Sequence, residues 1–252
     1  ITSHKKLFVS NGQQLLRVDD ETTQSISLDL QQKIIDLVSA FHGDIIILSD
    51  YGKGMLAKPL VEKIISIANT KGIKTLVDPK GNDYTSYVGA YLLTPNHHEL
   101  AAATGLPTET DNSVVKAAKS LKDFPRILTT RGSRGMILVT NDTVHNISSK
   151  AEEVFDVSGA GDSVMATLAL ALGSGMDLQK SCELANHAGA IVVAKAGTAV
   201  VTRQDLYGIS ESKVQTLADV LELVQLWRLG NLKIGFTNGC FDLLHLGHLH
   251  IL

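Results

Sequence analysis

The run Asp156-Val157-Ser158-Gly159-Ala160-Gly161-Asp162 stands directly before an apolar stretch that ends at Leu172. Three residues without bulky side chains at a helix start leave backbone N–H groups pointing outward, and the helix dipole adds positive potential there. Such a cradle suits a phosphate. Asp162 then falls in the first turn, where a carboxylate within hydrogen-bond reach of a bound phosphoryl group can take the proton of an attacking hydroxyl. The same residues also fit a plain glycine-rich turn with Asp162 as a capping residue.

A second glycine turn, Thr130-Arg131-Gly132-Ser133-Arg134-Gly135, joins two apolar runs and carries two cations. It fits either part of a nucleoside triphosphate site or a hairpin with solvated arginines. Near the end, TNGCFDLLHLGH places His245 and His248 three apart around Gly247. Two imidazoles at a helix start can neutralise nucleotide phosphates as pyrophosphate leaves. They also fit two helix-start histidines, or a metal site short of a ligand. No G-x-x-x-x-G-K-S/T loop occurs, and the glycine run lacks the G-x-G-x-x-G dinucleotide fingerprint, which argues against an oxidoreductase.

The elements that must position these residues alternate. Asp44–Asp50 reads as a strand buried on both faces of a parallel sheet, Leu56–Thr70 as a helix ended by Gly72, and Ile73–Val77 as a strand closed by Asp78-Pro79-Lys80-Gly81. Ala90–Leu93 is a strand, Asp111–Leu121 a helix, and Arg126–Thr130 and Met136–Thr140 are strands around the glycine turn. Helices follow at Asp162–Leu172 and at Leu178–Lys195, the latter capped by Asp177 and ended by Gly197. This rhythm is that of an α/β protein. The polar stretch 208–218 reads as a linker, Asp219–Leu229 as a helix, and Lys233–Thr237 as the first strand of something further. The domain expectation is 1–207, then 208–232 as linker and helix, then 233–252 as the beginning of a second domain.

Composition narrows the class. The chain has 252 residues with 44% hydrophobic content, and 23 Lys plus Arg against 26 Asp plus Glu give a formal net charge of -3. This excludes a disordered chain and argues against nucleic-acid binding by bulk positive charge. The two cysteines, Cys182 and Cys240, are too few for a disulfide framework and point to a reducing compartment. The apolar run Val164–Leu172 is far shorter than the roughly 20 residues of a membrane span. The start at Ile1 and the stop at Leu252 fit a piece of a longer polypeptide, with no secretory leader in it.

Together DVSGAGD, LSDYGKG at 48–54, VDPKG at 77–81 and TPNHHEL at 94–100, in that order, resemble the ribokinase-like (PfkB) sugar kinase family. The resemblance is nearest to its heptose 7-phosphate kinase branch, whose members also carry a heptose 1-phosphate adenylyltransferase, and TNGCFDLLHLGH resembles the motif region of such cytidylyltransferase-like domains. It implies a ribokinase-like three-layer sandwich with its N-terminal portion missing, followed by the start of a Rossmann-like nucleotidyltransferase domain. It implies Asp162 as catalytic base and Gly159, Ala160 and Gly161 as the anion hole. Nucleotide contacts fall to Thr130, Gly132, Gly135 and the Asn186 region, with Gly189 and Gly197 allowing close approach of the base.

Asn96 and Glu99 match an N-x-x-E element that organises Mg2+ through water beside ATP. His97 and His98 read as solvated or helix-start residues whose rings point apart. Lys53 lies near the cleft without an assigned role, and Asp50 and Lys80 fit either a turn or the cleft. His245 and His248 would bind ATP phosphates in the second activity, and Cys240 would be a buried strand-end residue. The implied substrates are heptose phosphates, the implied assembly a homodimer through a β-lid around Leu15–Val18, and the implied location the cytoplasm, with no nucleic-acid or membrane partner. The other readings are a related sugar kinase fused to a different nucleotidyltransferase, and a non-catalytic nucleotide-binding module. Because first strands and a sugar-binding element of the family would precede Ile1, the polypeptide alone is expected to be weakly stable or inactive.

Overall fold

The computed structural model describes residues 4–10, 13–149, 159–195, 200–206, 216–229 and 232–236. By compactness the chain divides into Ile1–Val201 and Thr202–Leu252. In the first unit β1 (His4–Ser10) and β2 (Gln13–Asp20) form an antiparallel two-stranded sheet. There follow α1 (Leu28–Ala40), β3 (Ile45–Ser49), α2 (Lys58–Thr70), β4 (Lys74–Asp78), β5 (Leu92–Leu93), α3 (His97–Thr104) and α4 (Asp111–Ser120). A hairpin, β6 (Arg126–Thr130) and β7 (Met136–Thr140), leads to β8 (Val144–Ile147), and α5 (Ala160–Gly173) and α6 (Leu178–Val193) complete the unit. The second unit contains α7 (Arg203–Leu206) and α8 (Leu217–Leu229). Residues 232–236 are irregular and in no strand, Leu232 N donating back to Trp227 O at 2.9 Å, so the strand expected from Lys233 is not formed over 233–236. Thr237, Cys240, His245 and His248 lie outside the described residues, as do 150–158 and Gly197.

The main sheet has the order β3-β4-β5-β6-β7-β8, parallel from β3 to β6 and antiparallel beyond. Adjacent strand residues face opposite sides, so each strand feeds two cores. Leu48, Val77, Leu93, Ile127 and Ile137 pack with α2 and α4 on one face. Leu76, Leu92, Leu128 and Leu138 pack with α5 and α6 on the other. This is a three-layer sandwich. Local chemistry sets the helix starts: Ser27 caps α1, Pro59 opens α2, Asn96 and Thr110 form capping boxes, and Asp177 accepts from Lys180 N.

One strand departs from expectation. β3 is parallel to β4, but among the described residues it has a neighbour on one side only. Of its residues Leu48 is buried while Ile47 is 40% exposed, so the reading of a strand buried on both faces is corrected. No helix among the described residues is long and apolar enough to cross a membrane.

α5 is apolar nearly all round, so its inward face is decided by packing. Leu168 is fully buried and Leu170 is 77% exposed. Leu168→Ala should therefore cost about 2–5 kcal/mol, and Leu170→Ala no more than about 0.5 kcal/mol. Urea denaturation of the two variants checks this; equal losses would show that α5 packs on another face.

Candidate active site

Open α/β sheets bind ligands beyond the carboxyl ends of their strands. Here the chain leaves β3, β4, β5 and β6 through Asp50, Asp78, Asn96 and Thr130 at the same edge. Backbone hydrogen bonds continue past the strands: Asp50 N donates to Asp78 O at 3.0 Å, and Thr130 N to Pro95 O at 3.1 Å. Residues distant in sequence are thus set side by side.

Asn96 caps α3, its Oδ1 accepting from His98 N at 2.9 Å and Glu99 N at 3.0 Å. Glu99 Oε2 accepts from Asn96 N at 3.0 Å, and its Oε1 pairs with Lys80 Nζ at 2.9 Å. Lys80 therefore has a defined partner. Lys53 pairs with Glu21 at the exit of β2. The expectation that His97 and His98 point apart is corrected: their rings lie 3.9 Å apart between centroids, because both leave the first turn of α3 toward the same space. Burial, with His98 and the nearby Arg134, holds the His97 imidazole below its ordinary value.

α5 begins at Ala160, with Gly159 in the left-handed conformation at its N-cap and no side chain capping it. Ala160 and Gly161 thus belong to the first turn, and its N–H groups have no side-chain acceptor at the N-cap. Asp162 lies in the same turn, exposed, and its Oδ1 accepts from Tyr51 Oη at 3.1 Å. Beside the turn opens a cavity of about 170 Å³ whose lining includes Thr130, Gly132, Gly135, Ala160, Gly161 and Asn186. The structure therefore gathers all the nucleotide-contact residues named above from the glycine turn and α6 into one hollow with the helix start; Gly189 lines it too. Asn186 is itself buried and donates to Ser148 O at 2.9 Å.

The glycine turn is the hairpin between β6 and β7, but its arginines are not both solvated. Arg131 is 4% exposed, pairs with Asp111, and donates to Asn146 Oδ1 at 3.1 Å and Arg134 O at 3.0 Å. Asp111 and Asn146 come from α4 and β8 and tie the turn to them, and Arg134 O closes the turn on itself. At Gly135 φ is +80°, and a Cβ would run into the Ile147 carbonyl oxygen, so only glycine fits.

Asp78, which reads in the sequence as part of a turn, closes β4 beside Glu99 and Asp162; the end of a parallel strand is the signal for such a place. Burial, then the nearby Glu99 and Asp162 carboxylates, raise it to about 6, Lys80 opposing. Whether this set suits Mg2+ can be judged from its donors. Among the described residues no three His, Cys, Asp or Glu side chains converge on one point that could hold a metal ion. The oxygens of Asn96 and Glu99 already accept hydrogen bonds, which fits Mg2+ retaining its waters and bound through them.

The fold is a ribokinase-like α/β sandwich. Phosphofructokinase-2 from Escherichia coli in complex with potassium superimposes with a TM-score of 0.67 at 21% identity, over 73% of this chain and 62% of that one. Ribokinase from Arabidopsis thaliana, complexed with ribose and ATP, gives 0.66 at 22%, over 84% and 69%. Residues 2–205 match the family model described as pfkB family carbohydrate kinase, and the chain belongs to that family. It is 45% identical to the bifunctional protein HldE of Rhodospirillum rubrum and 44% identical to that of Paramagnetospirillum magneticum, in each case over 100% of this chain. The chain spans 53% and 54% of those relatives' length.

Asp78 carries a pH signature. Its folded value, about 6, lies above the ordinary 3.8, so the folded state holds the proton more tightly. Stability from this group is complete below about pH 4 and falls as pH rises through 6. The difference amounts to at most about 3 kcal/mol, and screening at a half-buried group reduces it to about 1–2 kcal/mol. Asp78→Asn should raise the melting temperature at pH 7 and leave it unchanged near pH 4; a pH-independent difference would contradict this.

Proposed function

We propose that the chain is the sugar-kinase part of a bifunctional enzyme. It transfers the γ-phosphoryl group of ATP to O1 of D-glycero-β-D-manno-heptose 7-phosphate, giving the 1,7-bisphosphate. The observation that carries the reading is the open start of α5, with Asp162 in the same turn, beside the cavity lined by Thr130, Gly132, Gly135 and Asn186. In this reading the cavity takes the nucleotide. The N–H groups of Gly159, Ala160 and Gly161 receive the charge of the transferring phosphoryl group, in the manner of an oxyanion hole. Asp162 takes the proton of the sugar hydroxyl as its oxygen bonds to phosphorus and the bond to the nucleotide's β-phosphate oxygen breaks. Mg2+, held through water by Asn96 and Glu99 with the field of Asp78, would neutralise phosphate charge.

Heptose rests on the resemblance of the full set LSDYGKG, VDPKG, TPNHHEL and DVSGAGD together with TNGCFDLLHLGH. The second activity, transfer of AMP from ATP to heptose 1-phosphate to give ADP-heptose for lipopolysaccharide core assembly, rests on TNGCFDLLHLGH, with His245 and His248 at the phosphates. A cytoplasmic enzyme and a homodimer joined through the β1–β2 lid complete the proposal. The exposed Leu7, Phe8, Val9, Leu15, Leu16 and Val18 support the dimer.

Asp162→Asn, made in the protein at the full length of its relatives, should lower turnover with heptose 7-phosphate by about 10²–10⁴-fold with ATP binding largely retained. Turnover like that of the unaltered protein would refute the assignment. Replacing both His245 and His248 by Ala should abolish pyrophosphate release from ATP and heptose 1-phosphate while sugar phosphorylation continues. Equal loss of both activities in a folded protein would argue for a single shared site.

A further inference from the structure

We infer that Tyr51 is a positioning residue for the Asp162 carboxylate, and that Asp50 and Tyr87 hold the loop that carries it. The inference rests on Asp162 being the base and adds the residue that aims it.

The two side chains meet across 111 positions of sequence, the phenol donating to Oδ1 at 3.1 Å. Tyr51 is 58% exposed, so burial does not fix its ring. The backbone does. Asp50 Oδ1 accepts from Gly52 N at 2.7 Å, closing a turn over Tyr51, and Asp50 Oδ2 accepts from Tyr87 Oη at 2.6 Å. Tyr87 is 2% exposed, so this anchor is part of the core. Beyond Tyr51 the loop is tied again: Gly54 O accepts from Ile26 N at 3.1 Å, and Lys53 pairs with Glu21. A loop fastened on both sides of one exposed tyrosine, with its hydroxyl on the candidate base, is built to present that hydroxyl.

The chemistry follows from which oxygen is covered. With Oδ1 accepting from Tyr51, the carboxylate cannot turn freely and Oδ2 is left for the sugar hydroxyl. On reaction the hydroxyl proton passes to Oδ2, the sugar oxygen bonds to phosphorus, and the bond to the leaving nucleotide oxygen breaks. Tyr51 keeps its proton throughout. A small error in the aim of a base is costly in rate, whereas nucleotide binding, made elsewhere in the cavity, does not sense it.

The test is steady-state kinetics on the full-length protein with heptose 7-phosphate and ATP. A hydrogen bond to a charged group is worth about a tenfold effect or more. Tyr51→Phe should lower kcat about tenfold with the KM for ATP and the melting temperature unchanged. Tyr87→Phe should lower kcat by a smaller factor and add nothing to Tyr51→Phe. In the Asp162→Asn background Tyr51→Phe should have no further effect. If Asp162→Asn abolishes turnover while Tyr51→Phe retains full kcat, the inference is wrong and the base assignment stands. A tenfold loss from Tyr51→Phe that persists in the Asp162→Asn background would equally overturn it. If Asp162→Asn itself keeps full turnover, the base assignment fails and this inference with it.

Discussion

Asp50, Asp78, Glu99 and Asp162 reach one end of a parallel sheet from four different elements, and their mutual repulsion is the condition under which the rest of the site is built. Asp78 shows the cost: burial first, and then the neighbouring Glu99, Asp162 and Asp50 carboxylates, raise it to about 6. Three of the four carboxylates are met by a donor, and Asp78 has only the field of Lys80. Lys80 answers Glu99, Tyr87 and Gly52 answer Asp50, and Tyr51 answers Asp162. An edge assembled this way is costly to keep and well suited to receive positive charge, or a phosphate that brings its own cation.

The cavity side of the site follows a different rule. There the lining is uncharged and includes the α5 start and the β6–β7 turn, and the two arginines of that turn bond elsewhere. Arg131 is turned inward to α4 and β8, not toward the hollow. Among the described residues its Nε has no hydrogen-bond partner, and the loop is held by the remaining contacts. Negative charge thus gathers on one side of Asp162 and backbone donors on the other.

What could be read in the residues follows from the range of the forces involved. The β6 and β7 bounds and the Asp177 cap depend on local apolar runs and turn chemistry, and they match. The start of α5 falls two residues earlier than the apolar run suggests, because glycine and alanine carry no pattern. α1 and β8 are not among the expected elements, although Ile34, Ile35 and Val38 give α1 a helical apolar side that packs on the core. Arg131 looked solvated because its partners Asp111 and Asn146 are 20 and 15 residues away, and Tyr51 carried no signal at all because its partner is 111 away. The glycine turn and the carboxylates were legible by type; their neighbours were a matter of tertiary pairing.

β3 has one further consequence. Among the described residues Ile45–Ser49 bonds to β4 and to nothing on its other side, and Ile47 is partly in solvent. An apolar, untwisted-by-bulge edge with its N–H and C=O groups unspent is a template for another strand. A strand laid along it would therefore do more than extend the sheet: it would keep two copies from zipping edge to edge.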